Sequence, residues 1–183
     1  PGTSRWLQVW AIGKADGTVS ATFTAAAAPT PPALATGYVY YARLGALRID
    51  SAARIVKTQQ RGAIARYVVQ GSGSTPNLPA IATGIAGSTT VPTWVALAWA
   101  AFAPPTATDL KVMLAGVGAV AIAAPNNAFG SDTSTSNPPP CQSSVSAAYV
   151  KSQCDITLES SNIYWASNGG VQGLYAIGWT DLL

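Results

Sequence analysis

Residues 5–24 read RWLQVWAIGKADGTVSATFT, and this stretch decides the fold class. The large side chains of Trp6, Trp10 and Ile12 share one parity, while leucine and valine between them take the other, which predicts a strand covered in part on both faces. Residues 13–17 carry two glycines and an aspartate, a composition typical of a tight turn. Hydroxyl and small apolar side chains alternate after the turn. The stretch therefore predicts a β-hairpin.

The same two-residue period continues through the rest of the chain. Residues 38–49 predict a long strand, aromatic at first, with a bulge or close backbone approach at Gly45. We expect strands at 54–60 and 64–70 to complete a three-stranded meander with it, and a further hairpin within 110–123. About ten short strands without a convincing helix predict an all-β fold, an antiparallel β-sandwich of the jelly-roll kind.

Loops and domain boundaries follow from proline, glycine and serine content. The opening Pro-Gly-Thr-Ser predicts that residues 1–5 are an entry linker from a longer chain and that residues 6–183 form a single β-sandwich domain. The proline-rich segment 25–36 predicts a connecting loop, because proline removes backbone donors. Residues 71–90 are expected to cross between sheets. The polar segment 131–140 is expected to be the least constrained region.

Composition excludes several function classes. Only 9% of the residues are charged and 49% are hydrophobic, the reverse of a disordered chain. Histidine is absent, which excludes catalysis by imidazole. The longest apolar runs have 13 residues, too few for a spanning helix, so no membrane partner is predicted. Six of the ten Lys and Arg residues lie between Arg43 and Arg66, and we interpret them as solvated strand faces rather than a specific nucleic-acid footprint.

The acidic residues predict no catalytic or metal site. Seven carboxylates are present, and solvent-facing turns account for them. Asp155 and Glu159 share a parity on one predicted strand but stand about 13 Å apart, beyond glycosidase spacing. The loop 132–137 lacks the central glycine and closing glutamate of a calcium loop. We therefore predict no catalytic residue, no cofactor and no bound metal.

Cys141 and Cys154 are the two cysteines of the chain. Twelve residues separate them, a spacing compatible with one disulfide across a strand-loop-strand unit. Two buried thiols are the alternative. Two thiols alone cannot complete a tetrahedral zinc site.

Two groups of aromatic residues stand out. Tyr38, Tyr40 and Tyr41 share one predicted strand, and Tyr164 and Trp165 share another. Such rings could stack on sugar rings of a glycan. Packing in the core or against another subunit is favoured, because aromatic residues dominate both kinds of burial. Because the chain has so few charged residues, we also expect it to form a homo-oligomer, since a neutral face can pack against the same face of another copy.

Several segments carry a family resemblance. They are Trp10–Val19 (WAIGKADGTV), Gly37–Asp50 (GYVYYARLGALRID), Val91–Ala96 (VPTWVA), Asn127–Gly130 (NAFG) and Ile177–Asp181 (IGWTD). In this order, across nearly the whole chain, the sequence resembles the C-terminal β-rich domain of tailed-bacteriophage tail-fibre-like and other virion structural proteins. It departs from that pattern at 25–36 and in the segment containing the cysteines.

The resemblance implies a non-enzymatic structural protein of a tailed-phage virion, used as a tail-fibre or receptor-binding domain in host attachment. It also implies partners: other copies of the chain, with a homotrimer favoured, other virion proteins and a host surface glycan. The expected location is the virion, assembled in the host cytoplasm and then extracellular. Two alternatives stay open, a capsid decoration (head fibre) protein and a glycan-binding or depolymerase domain. No catalytic residues come with the resemblance.

Overall fold

A computed structural model describes residues 4–25, 30–69, 78–144 and 146–182. Within them the chain forms thirteen strands and no helix, in three antiparallel sheets, which confirms the predicted all-β sandwich. The strands are β1 Arg5–Lys14, β2 Val19–Thr24, β3 Tyr38–Ile49, β4 Thr58–Arg61, β5 Ile64–Tyr67, β6 Ala80–Thr83, β7 Val95–Ala98, β8 Ala107–Gly116, β9 Ala121–Ala124, β10 Cys141–Ser143, β11 Val150–Thr157, β12 Asn162–Ser167 and β13 Gly173–Asp181.

Sheet A has three strands in the order β2-β1-β3. Strands β1 and β2 form the predicted hairpin. The predicted bulge is present in β3: Val9 pairs with Gly45 and the next residue pairs with Arg43, which leaves Leu44 as the extra residue. Glycine suits the bulge because the backbone of Gly45 has a φ of 151°, which residues with a side chain rarely adopt, and because a Cβ there would displace the end of the Gln60 side chain.

Two larger sheets form the sandwich. Sheet B has the order β11-β8-β13-β5-β4, with β6 also paired to β13, and sheet C has the order β10-β9-β12-β7. Leu110 and Leu114 of sheet B, and Ile163 and Trp165 of sheet C, are each 1% exposed or less and belong to one core cluster. Alternate residues of each sheet therefore bury one face against the other sheet.

The predicted meander is correct for the pairing of β4 with β5 but wrong for β3, and the hairpin predicted within 110–123 is wrong. Strand β3 lies in sheet A, whereas β4 and β5 lie in sheet B, and Ile49 and Ile55 form an isolated bridge between the two segments. Strand β8 does not turn back onto β9, because β11 and β13 already occupy both of its edges. The chain instead crosses to sheet C, where β9 pairs with β10 and β12.

Several predicted loops lie in part outside the described residues. These are residues 1–3 of the expected linker, 26–29 of the proline-rich loop and 71–77 of the expected crossing, and residue 70 of the predicted strand 64–70 lies outside as well. The segment 131–140, expected to be the least constrained region, is described and is held by hydrogen bonds that its sequence did not predict. Thr89, which is fully buried, donates to Asp132, and Asn137 Nδ2 donates to the carbonyl of Ala128. Side chains from neighbouring segments therefore hold this polar loop in place.

Sheet A is joined to the sandwich by a buried ion pair. Arg43 of β3 donates to both carboxylate oxygens of Asp181 at the end of β13, at 2.8 and 3.0 Å. The two side chains are 6% and 0% exposed. The same guanidinium donates to Gln8, Thr106 and the carbonyl of Leu182. The expectation that the clustered cations are all solvated is therefore wrong for Arg43. The expectation that every carboxylate lies in a solvent-facing turn is wrong for Asp181.

Aromatic contacts make the second connection between sheet A and the sandwich. The Trp6 ring meets the buried Trp179 ring edge-on, with 5.1 Å between centroids, and Trp179 also contacts Tyr67 of β5. The Trp6 indole donates to the carbonyl of Ala100. Edge-on aromatic pairs of this kind add to the burial of their ring area. One side of sheet A is thereby fixed against sheet B.

Tyr67 is expected to ionise only in strongly alkaline solution. Burial raises the pKa of Tyr67 to about 12, and nearby Arg48 opposes this only in part. Since the folded-state pKa lies above the unfolded value of about 10, the buried neutral phenol stabilises the fold below pH 10 and loses this contribution as pH rises toward 12. A spectrophotometric titration of tyrosinate absorbance should show one late step that Tyr67→Phe removes. A late step that survives in Tyr67→Phe would contradict this assignment.

Candidate interaction surface

Sheet A has an inner face that the rest of the protein covers. Gln8, Trp10 and Ile12 alternate along β1 and are 1%, 3% and 7% exposed. Trp6, on the same side of the strand, reaches Trp179. The parity seen in the sequence therefore marks the side of sheet A that faces the protein interior.

The opposite side of sheet A, the outer face, is apolar and exposed. Cross-strand neighbours share a face in an antiparallel sheet, so the register places three rows of residues on this side. The rows are Phe23–Val9–Gly45, Ala21–Ala11–Ala42 and Val19–Gly13–Tyr40. Val19, Phe23 and Tyr40 are 72%, 55% and 62% exposed. No residue in these rows carries a charge.

Strand β2 is also an edge of this sheet. Within residues 4–25, 30–69, 78–144 and 146–182, it pairs with β1 alone. Its sequence VSATFT contains neither charge nor proline. Natural edge strands usually carry such residues to prevent pairing with other chains.

The structure separates the three tyrosines predicted on β3. Tyr40 lies on the outer face, whereas Tyr41 pairs with Ile12 on the inner side and contacts the Trp10 ring at 5.9 Å. The ammonium nitrogen of Lys14 lies over the Tyr38 ring, 5.1 Å from the ring centroid. Alternation separates Tyr40 from Tyr41, and the register shift between Gly13 and Lys14 separates Tyr38 from Tyr40, so the three rings form no single platform.

Tyr164 and Trp165 do not join this surface. Both belong to β12 in sheet C, and Trp165 is 1% exposed in the core cluster, so it is not free to contact a glycan or another subunit. Tyr164 is partly buried on the alternate side of the strand. The reason is again the strand period, since adjacent residues face opposite sides and only one of them can reach the interior.

An open groove of about 540 Å³ borders the outer face. Phe23 and Leu44 line one part of it, and Thr58 and Gln60 of β4 line another. Nε2 of Gln60 donates to the carbonyl oxygens of Leu44 and Gly62. The groove therefore extends the apolar surface from sheet A toward β4.

The cysteines form a disulfide between the two sheets of the sandwich. Cys141 lies on β10 in sheet C and Cys154 on β11 in sheet B, with 5.7 Å between their Cα atoms. The Cys141 side chain is fully buried. The bond therefore connects the two layers directly.

The acidic residues are dispersed over the structure. In the described part of the chain, no three His, Cys, Asp or Glu residues are grouped in a way that could hold a metal ion. Glu159 lies beyond the end of β11, so the expectation that it shares a strand with Asp155 is wrong. Asp155 instead accepts from Lys111 at 2.6 Å. Hydrogen bonds from backbone N–H groups lower the pKa of Asp16, through Thr18, and of Asp50, through Arg54.

Sequence reasoning missed the outer face as a surface, although its signal was present. The outward residues of β1 from Leu7 to Gly13 and those of β2 are small or apolar, and Arg5 at the start of β1 is the charged residue on this side. A strand that alternates between two apolar sets predicts cover on both sides. Only the fold reveals that one of these sides has been left open.

The described residues include no helix long and apolar enough to cross a membrane. Comparisons of the chain with protein-family models, with curated proteins and with solved structures give no match.

Proposed function

We propose that this chain is a non-enzymatic structural domain of a tailed-phage virion, a tail-fibre or receptor-binding β domain that acts as a homo-oligomer, with three copies favoured. The observation that supports the oligomeric part of the proposal is the exposed outer face of sheet A, whose three rows across β2, β1 and β3 carry no charge. Contiguous apolar patches on protein surfaces commonly mark contact sites, because their exposure to water is unfavourable.

The segments that resemble virion proteins support the rest of the proposal. Arg43 belongs to the resembling segment on β3, and Asp181 to the resembling segment that ends β13. The two form the buried ion pair that attaches sheet A to the sandwich. Their resemblance thus involves residues that act together in this fold.

Two contacts follow from the proposed role. Copies of the chain and neighbouring virion proteins would cover the apolar surface of sheet A. Tyr41, which is 50% exposed and lies on the other side of sheet A, offers an aromatic ring for stacking against a host surface glycan. Host attachment would then depend on a side chain that contributes little to the core.

The location of the chain in a virion tests the proposal. We expect gold-labelled antibodies raised against the folded domain to decorate the tail of virions whose genome encodes this sequence, as seen by electron microscopy. Label on the capsid surface would replace the tail assignment with the decoration alternative. Purified virions that carry no label, alongside labelled recombinant protein as the positive control, would refute a virion role.

A further inference from the structure

The outer face of sheet A has a relief that can fit a copy of itself. Its central row consists of three alanines, Ala21, Ala11 and Ala42, aligned across β2, β1 and β3. Larger side chains stand on both sides of this row, with Phe23 and Val9 on one side and Val19 and Tyr40 on the other. The face is therefore a trough of methyl groups between two ridges.

Ridges and troughs of this kind are complementary when two sheets pack face to face. Packed sheets stand about 10 Å apart, and their side chains interdigitate across that space. A ridge that carries Val19 or Phe23 can enter the alanine trough of an opposing sheet, while the opposing ridge enters the first trough. One surface thus supplies both halves of the contact, as a self-association interface requires.

The absence of charge on this face also favours a copy of the same chain. A partner recognised through charge would need opposite charges to pair with, and the three rows offer none. The charged group of Arg43 is directed to Asp181 in the buried ion pair. When two copies of this neutral surface pack together, neither copy buries a charge that lacks a partner.

The size of the face limits the strength of the contact. Strand β2 has six residues, and three strands of that length make a sheet of roughly 14 by 20 Å, or about 280 Å² in plan. Side-chain relief and the neighbouring groove enlarge the contact area beyond this value. Specific interfaces bury roughly 600–1,000 Å² per partner. We therefore expect a small contact that forms at protein concentrations of tens of micromolar or above.

From this relief and neutrality we infer that the outer face of sheet A packs face to face against the outer face of another copy of this chain. The resulting contact supplies the second layer that sheet A lacks, in the way that sheets B and C cover each other. The inference rests on the homo-oligomer of the proposed function and assigns one contact within it, a contact that joins two copies because a face packed on its own copy closes at a pair.

Val19→Lys tests the inference, because it places a charged group on a side chain that is 72% exposed. Val91→Lys is the matched control: Val91 is 78% exposed and lies in a turn outside sheet A. Light scattering on the size-fractionated chain at tens of micromolar measures the mass of each variant. We expect at least two copies of 18.6 kDa for the wild type and Val91→Lys, and a single copy for Val19→Lys.

A second substitution on the opposite ridge position of β2, Phe23→Lys, should give the same single-copy mass. Circular dichroism and the unfolding midpoint establish that each variant is folded before its mass is read. A wild-type oligomer that persists in both folded lysine variants would overturn this interface and leave the proposed homo-oligomer intact. A single-copy wild type would overturn the interface and the homo-oligomer together.

Discussion

Replacing Asp181 with alanine is expected to lower the free energy of unfolding by about 3–5 kcal/mol, the cost of leaving a buried charge without its partner. The Arg43 side chain is 6% exposed, so water cannot take the place of the lost carboxylate. The guanidinium would keep its hydrogen bonds to Gln8 and Thr106, which are uncharged acceptors. The loss should appear as a lower urea midpoint.

Two variants separate this effect from the loss of packing alone. Arg43→Met combined with Asp181→Leu removes both charges and fills similar volume, so most of the lost stability should return. Arg54→Ala removes the ion pair between Arg54 and Asp50, in which the arginine side chain is 78% exposed. This variant should lower the free energy of unfolding by less than about 1 kcal/mol. If Asp181→Ala costs no more than Arg54→Ala, the buried ion pair does not hold sheet A in the way described.

Removing the disulfide is expected to cost about 3 kcal/mol of unfolding free energy. The bond joins β10 to β11 across a sequence separation of 13 residues, and it restricts the unfolded chain by closing that loop. Urea unfolding of the oxidised and chemically reduced protein should differ by this amount. The same loss is expected for Cys141→Ala combined with Cys154→Ala.

The double-alanine variant is also the control for the reductant. Its unfolding midpoint should not change when the reductant is added, because no bond remains to be broken. Mass spectrometry after alkylation without reductant should find no modified thiol in the folded wild type. Two modified thiols, or equal stability with and without reductant, would contradict a disulfide that stabilises the sandwich.

Local patterns predicted the strands but not their partners. The alternation around Trp10 and the turn near Asp16 predicted the first hairpin, since both signals lie within a few neighbouring residues. The partner of β8 depends on which strands reach its edges, and β11 and β13 arrive from much later in the chain. The prediction of a hairpin from residues 110–123 alone could not take into account that other strands compete for the edges of β8. Pairings of this kind are set by the assembled sheets.

The same limit applies to the buried ion pair and to the aromatic residues. Arg43 and Asp181 are separated by 138 residues, and each has an ordinary setting when only its neighbours are considered. The five aromatic residues were recognised as candidates for contacts, but adjacent rings such as Tyr164 and Trp165 cannot both face outward. Which one does so depends on the sheet that covers the strand.

The bare edge of β2 has a consequence for how the chain must be handled in the cell. This strand carries hydroxyl and hydrocarbon side chains and has neither lysine nor proline to prevent pairing with other chains. Such an edge strand can act as a template for fibril formation. Newly made chains therefore avoid fibril formation best when they bind their assembly partners soon after synthesis. Placing one lysine at Thr22, in the middle of this strand, should reduce turbidity during prolonged incubation of concentrated protein.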